Sequence, residues 1–452
     1  MARPKPAPRT IPLIAVTEGA IGNAGLDRVQ LAWAASNGFA GQRGRLLALP
    51  TDNGDIKAWL FGLGNDAGRL KLVMGLAGAA LAPGLYSLEG DYGDPTLAAL
   101  GFRLGSYRFG RYRTERPEPE LALPDGADGA EVTRLADAAY LARDLVNTPA
   151  NDLGPDAFDA EIRTFARQHK MTLKAIVGDA LLRQNFPMIH AVGRAAAEAP
   201  RLMDLNWGNA RHPKITLVGK GVTFDTGGLD IKPPSSMLLM KKDMGGAANV
   251  LGLAHAIIDA RLKVRLRVLI PIVENAISAS AFRPGDILPS RSGQTVEIGN
   301  TDAEGRLILA DALTLADEEK PELILDMATL TGAARTALGP DLPPLYATDD
   351  ALAQALMASG AAWDDPLWPM PLWAPYESML ASKIADVNHV SQGAYAGSIT
   401  AALFLKRFVR EAKAWVHLDI FAWAPEPRPG RPTGGTDQGI RAVYGVLKQR
   451  YS

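Results

Sequence analysis

The stretch KITLVGKGVTFDTGGLDIKPPSSMLLMKKDMGGAANVLGLAHAIIDA, Lys214 to Ala260, decides the fold. It opens with a short apolar run ending at Lys220, passes through a glycine-rich loop, and closes on a helix-spaced segment from Ala247 to Ala260. A buried strand, a loop and a helix in that order make one α/β unit. The same design recurs outward from it. MTLKAIV, VRLRVLIPIV, ELILDMATL and AWVHLDIF read as strands, while Asp156 to Gln168, Leu307 to Ala316, Ile399 to Glu411 and Gln438 to Gln449 read as helices. Alternation of this kind predicts a mostly parallel or mixed sheet with helices around it, and sites at the carboxyl ends of its strands.

Upstream, the part to about Leu123 also alternates: IPLIAV, a helix over Asp27 to Ser36, RLLAL extended, and a helical run from Asn65 toward Leu81. TERPEPELALPDGADGA, Thr114 to Ala130, mixes prolines, acids and glycines without a period and reads as a linker. VTRLADAAYLARDLVNTPAND then has helical spacing and stops at Thr148-Pro149. The expected fold class is α/β with two domains. A smaller N-terminal α/β domain covers 1–126; a larger C-terminal catalytic α/β domain, with a central mixed sheet flanked by helices, covers 127–452, its first part (127–150) being a linking helix. A chain of 452 residues is long enough for both cores.

Composition excludes several classes. The formal charge is -1 and the apolar share 47%, so no global field points to nucleic acid or an anionic membrane, and any charged site is local. With no cysteine there is no disulfide, thiolate metal site or cysteine nucleophile, which suits a reducing, cytoplasmic location. The apolar run after MARPKPAPRT is too short for a signal segment, and no run reaches the length of a membrane span, so no membrane partner is expected.

The chemistry concentrates in VGKGVTFDTGGLDIKP (Val218 to Pro233), MKKDMGG (Met240 to Gly246) and NTDAEGRL (Asn300 to Leu307). Asp225, Asp243, Asp302 and Glu304 supply four carboxylates, enough for two hard divalent cations roughly 3.5 to 4 Å apart. Asp302 and Glu304 are two apart, so in an extended loop their side chains point the same way. Lys220 reads first as a salt-bridge partner and could join the ligands only as a neutral amine, its pKa pulled down by desolvation and a dication. Lys232 and Arg306 remain as cations able to polarise a carbonyl, hold an anion or stabilise an oxyanion. Thr329, Leu330, Thr331 and Gly332 sit at the mouth of the strand ELILDMATL.

Other readings are weaker. VGKGVTFD lacks the P-loop spacing, no G-x-S-x-G elbow accompanies Ser235 and Ser236, and the six histidines show no zincin spacing. His255 and His417 read as core histidines. FRLGSYRFGRYRTER interleaves Arg103, Arg108, Arg111, Arg113 and Arg116 with aromatics, a pattern that can track a nucleic-acid backbone but is more often an amphipathic interface. A two-metal phosphoesterase would use similar carboxylates without the lysine ligand.

From about Leu145 onward the chain resembles the leucyl (cytosol) aminopeptidases, the M17 metallopeptidases. The likeness is carried by the motifs above together with LVNTPAND, RPGDIL, SGQTVEIGNTDAEGRL and ATLTGA in family order. The resemblance implies a metal-dependent hydrolase that releases N-terminal residues from peptides with a free N-terminus. It implies one metal on Asp225, Asp302 and Glu304, and another on Lys220, Asp225, Asp243 and Glu304, each Mn2+ or Zn2+. Lys232 would be the electrophilic lysine beside the substrate carbonyl, and Arg306 the anchor of a bicarbonate acting as base. Met240, Asn300, Thr329, Leu330, Gly332 and Phe421 would contact substrate. Phe421 and Ala422 depart from the Ala and Gly of many members, and Thr226 from a common Ser. The resemblance further implies a homohexamer, and because some members bind DNA, a DNA-binding accessory role is the alternative.

Overall fold

The computed structural model describes residues 10–68, 70–114 and 117–452. The chain divides into two compact units, Met1–Tyr140 with Pro425–Thr433, and Leu141–Ala424 with Gly434–Ser452.

The first unit carries β1 (Thr10–Thr17), α1 (Arg28–Ser36), β2 (Leu46–Pro50), β3 (Ile56–Gly64), α2 (Met74–Ala80), β4 (Gly84–Gly90), α3 (Pro95–Ser106), β5 (Pro119–Leu121) and most of α4 (Gly129–Asn147). Its sheet runs β2-β3-β1-β4-β5, parallel except for β2 against β3. Alternation along β1 sends Leu13 and Ala15 into one core and Ile14 and Val16 into another. The expected helix from Asn65 begins only at Met74. Asn65 instead accepts the Gly68 amide on its side chain at 2.8 Å, in a single 3-10 turn over Asp66–Gly68, because a short amide side chain competes with the helical bond. The expected linker also contains order, since β5 pairs with β4.

The second unit continues with α5 (Pro155–Gln168), β6 (Thr172–Val177), α6 (Ala180–Arg183), α7 (Pro187–Gly193), β7 (Arg201–Gly208), β8 (Lys214–Gly219), β9 (Gly221–Asp225), α8 (Pro234–Met237), α9 (Gly245–Asp259) and β10 (Arg265–Asn275). Then come β11 (Ile287–Pro289), β12 (Thr295–Glu297), α10 (Glu304–Asp317), β13 (Leu323–Ala328), α11 (Gly332–Leu338), β14 (Pro344–Ala347), α12 (Asp350–Ala362), β15 (Trp368–Pro369), β16 (Val387–Asn388), α13 (Gly397–Lys406), β17 (Trp415–Asp419) and α14 (Ile440–Tyr451). The mixed sheet has the order β15-β14-β17-β13-β8-β10-β7-β6, with β9 paired to the far half of β10. Its centre, β17, β13, β8 and β10, is parallel, and the edges turn antiparallel. Helices α7, α10 and α13 pack as one group and α9, α12 and α14 as another. The central strands are mostly apolar, as burial on two faces requires, with the buried Asp326 and His417 bonded to each other.

Two boundaries in this unit differ from expectation by three residues or more. Helix α13 ends at Lys406 rather than Glu411, because the carboxylate of Asp317 captures the amides of Arg410, Glu411 and Ala412 at 2.8, 3.0 and 2.8 Å. Helix α10 starts at Glu304 rather than Leu307, following a 3-10 turn over Thr301–Ala303 that Asn300 opens by accepting the Asp302 amide at 2.8 Å. Among the described residues no helix is long and apolar enough to cross a membrane.

Candidate metal centre

The carboxyl ends of the parallel strands converge on a cavity of about 450 Å3. Lys220 occupies the one-residue gap between β8 and β9. Its amide donates to Met327 of β13 and its carbonyl accepts from Ala247, which turns its side chain off the sheet. The tail then lies across Gly305, where any Cβ would come within 2.6 Å of the lysine Cε. The ammonium reaches Asp243 at 2.8 Å, Glu304 at 3.0 Å and the carbonyl of Thr329 at 3.1 Å.

Each acid is fixed separately. Asp225, ending β9, accepts from the Gly227 amide and the Asn275 side chain, both at 2.8 Å, and its other oxygen is 2.8 Å from Lys232. Asp243, in the 3-10 turn Met240–Met244, accepts from the Thr329 hydroxyl at 2.8 Å. Asp302 pairs with Lys232. Glu304 is the first residue of α10, and its Oε2 is buried without a hydrogen-bond partner among the described residues. Asp302 and Glu304 therefore meet across a 3-10 turn and a helical turn, not along an extended loop; the Asn300 cap closes the backbone there.

The electrostatics are crowded. Burial first, and then neighbouring carboxylates against the lysine countercharge, pushes Asp243 up to about 7. Burial and then Asp225 push Asp302 up to about 7 as well. Asp225 is raised by burial and by Glu304. For Lys220, burial lowers the amine's pKa, but Asp243, Glu304 and Asp225 together outweigh it and hold the pKa above the usual lysine value. Oxygens of Asp225, Asp302 and Glu304 lie within 4.8 Å of one another, and the orphaned Glu304 oxygen stands among them. Like charges held this close fit a cation between them.

Arg306, also on the first turn of α10, is buried. Its Nη1 donates to the His389 carbonyl at 2.7 Å and its Nε has no hydrogen-bond partner among the described residues; burial lowers it to about 10. Of the expected substrate contacts, Met240, Thr329, Leu330, Gly332 and Phe421 line the cavity, together with Lys220, Lys232, Asp225, Asp243 and Asp302. Asn300 does not: it is exposed, its side chain caps the turn, and its carbonyl accepts from His389 at 2.9 Å.

Sequence reasoning overlooked several residues. Asn275, Asp419 and His389 lie in strands or loops with no motif to flag them. Lys242 lay inside MKKDMGG but has a different job from its neighbour: it lines the cavity, and burial pulls it down to about 8. His417 is fully buried and bonded to Asp326, a packing role. Of the arginine run, Arg103 and Arg108 bond within the first unit, while Arg111 and Arg113 are exposed. Arg103 bonds Thr133 at 3.0 Å and Asp137 at 2.7 Å, and Arg108 donates to the carbonyls of Gly105, Tyr107 and Ala79. Arg116 lies outside the described residues.

Clustered carboxylates and a lysine at the carboxyl edge of a mixed α/β sheet, beside a cavity of peptide size, define a metallohydrolase. Comparison with known proteins gives the family. Residues 140–444 match the cytosol aminopeptidase family, catalytic domain, and residues 20–124 match the M17 aminopeptidase, N-terminal domain. The chain belongs to this family of metal-dependent aminopeptidases. It is 44% identical to a probable cytosol aminopeptidase of Roseiflexus castenholzii over 77% of this chain and 75% of that one. With the corresponding protein of Syntrophotalea carbinolica the identity is 38% over 92% and 90%. The crystal structure of the cytosol aminopeptidase from Coxiella burnetii superposes with TM-score 0.93 at 45% identity, covering 99% of each chain. The bottromycin maturation enzyme BotP, in complex with Mn, gives TM-score 0.89 at 34% identity over 97% of this chain and 99% of that one. The DNA-binding alternative finds no support in these relatives.

Proposed function

We propose that two divalent ions, Mn2+ or Zn2+, occupy this centre, one held by Asp225, Asp302 and Glu304 and the other by Lys220, Asp225, Asp243 and Glu304. The observation that carries this is the triad of carboxylate oxygens within 4.8 Å, with a buried Glu304 oxygen left unpartnered. When bound, the ions supply Lewis acidity to the scissile carbonyl and lower the pKa of water. The protein's part is positioning. Gly227 and Asn275 fix Asp225, Thr329 fixes Asp243, and the Asn300 cap fixes the turn that brings Asp302 to Glu304. Lys232 pairs with the oxygens assigned here to the first ion, so its ammonium would turn to the substrate carbonyl and stabilise the developing oxyanion. Arg306, with its free Nε, would hold a bicarbonate as the base.

The substrates would be peptides with a free N-terminal amine, since an internal peptide bond presents no amine to the centre. The cavity's walls at Met240, Thr329, Leu330, Gly332 and Phe421 would receive the first side chain. On the family resemblance we also read the protein as a cytoplasmic homohexamer, which light scattering would check. The central test is turnover of aminoacyl p-nitroanilides after exhaustive chelation and after adding back Mn2+ or Zn2+. Loss and recovery are expected; activity indifferent to chelation overturns the reading.

A further inference from the structure

Two cations on the cavity wall are left over from the metal centre. Lys242 is 4% exposed, and its Nζ sits 4.7 Å from the centroid of the Phe421 ring. Arg335, on α11, places its guanidinium carbon 4.7 Å from the same centroid. Both line the cavity, and a Cβ at Gly332 would lie 3.8 Å from Arg335 Nη2, so the guanidinium stands over the cavity rim. Among the described residues neither side chain has a hydrogen bond or ion pair with any protein group.

Carboxylates do stand near them, but each is already occupied. Asp419 takes the amides of Leu330 and Thr331 on one oxygen, at 3.0 and 3.1 Å, and the Thr331 and Ser398 hydroxyls on the other, at 2.6 and 3.4 Å. Asp243 is held by Thr329 and Lys220. Two like charges brought together on one aromatic ring, one of them buried, are costly without an anion. The ring face offsets part of that cost and leaves the outward donors open to the cavity.

We propose that this wall binds the side-chain carboxylate of the substrate's first residue, so that the enzyme prefers N-terminal Glu or Asp. The inference rests on the aminopeptidase reading above. With the substrate amine at the carboxylate centre, the first side chain enters the space beside Asp243, which Lys242 adjoins in sequence and Thr329 touches. Phe421 serves as the platform that holds both cations. Its backbone amide and that of Ala422 donate to the side chain of Gln438, each at 2.9 Å, which fixes the turn that presents the ring.

The test compares kcat/KM for Glu-, Asp-, Leu-, Met- and Ala-p-nitroanilide, whose leaving group carries no carboxylate, in the metal-loaded full chain. The acidic substrates should lead. Arg335→Gln, at an exposed helical position, and Lys242→Met, which keeps the bulk of the buried side chain, should each lower the Glu-to-Leu ratio roughly ten- to hundredfold, the effect expected for losing a charged hydrogen bond. A wild-type preference for Leu or Met, or ratios unmoved in both variants, overturns the proposal. An acidic preference seen with dipeptides but absent from p-nitroanilides assigns the cations to the peptide's C-terminal carboxylate and overturns it too. No turnover of any p-nitroanilide with either metal removes the aminopeptidase reading itself; turnover of Leu in preference to Glu leaves that reading intact and removes only this one.

Discussion

Two of the places where the catalytic unit buries charge are built on opposite terms. Around Asp437 and Asp365 every carboxylate oxygen meets a donor. Asp437 takes Arg143 Nε at 2.8 Å and Arg441; Asp365 takes the amides of Gly439, Arg441 and Ala442 at 3.0, 2.9 and 3.2 Å. Around Glu304, four acids crowd two lysines and a buried oxygen goes unmet. The first arrangement is finished by the protein alone. The second is complete only with something added, and that difference separates a structural charge network from a site.

The largest effect expected from this contrast is on turnover. Glu304→Ala should abolish activity and metal binding while costing less stability than Asp437→Ala, as read by metal titration beside denaturant unfolding. If Glu304→Ala unfolds the protein and spares activity, the contrast is broken. Asp437→Ala should cost about 3 to 5 kcal/mol, since it leaves Arg143 and Arg441 buried without their anion. Next, Lys232→Ala should retain bound metal and slow kcat by on the order of 10² to 10³; a loss of metal instead would make this lysine part of the framework.

His389 gives a pH test between the two regimes. Its ring is buried beside Arg306; Nε2 donates to the Asn300 carbonyl at 2.9 Å, and Nδ1 lies 3.2 Å from both the Gly299 amide and the Glu297 carbonyl, so the neutral ring accepts from Gly299. Burial first, and then Arg306, pulls its pKa from 6.5 down to about 3. A lowered folded value means that the stabilisation is fully present above the unfolded value of 6.5 and is lost as pH falls toward about 3. Unfolding free energies measured across that window should slope downward with acid, and His389→Gln should flatten the slope. The smallest effect concerns Ala422, held at φ 55. Ala422→Gly should relieve about 1 kcal/mol of left-handed strain, partly offset by the freer unfolded chain, and raise the melting temperature by a few degrees or less.

Much of this was legible in advance because the information is local. The strand–loop–helix order from Lys214 and the acids in three compact motifs lie in short stretches whose residue types announce their chemistry, while the cavity residues Met240, Thr329, Gly332 and Phe421 were expected only through the family resemblance. What stayed hidden depends on distant partners. The end of α13 is set by Asp317, some 90 positions earlier. The start of α10 depends on a cap at Asn300 that read as a substrate contact. The antiparallel pairing of β7 with β10 leaves no local trace in RLMDLNWG. Lys242 resembled its neighbour Lys241 until burial set them apart: one sits among the cavity groups, while the other donates to the Asn147 carbonyl.

The lysine tail lying across Gly305 has a consequence for how this protein can change over generations. The tail fills the volume that a side chain at 305 would need, the two positions belong to separate motifs, and a side chain at 305 is excluded while the lysine tail keeps this path. The glycine at 305 thus depends on the lysine at 220. A lineage that abandoned the amine would free the glycine to vary, and a lineage in which that glycine drifts has already given up the amine.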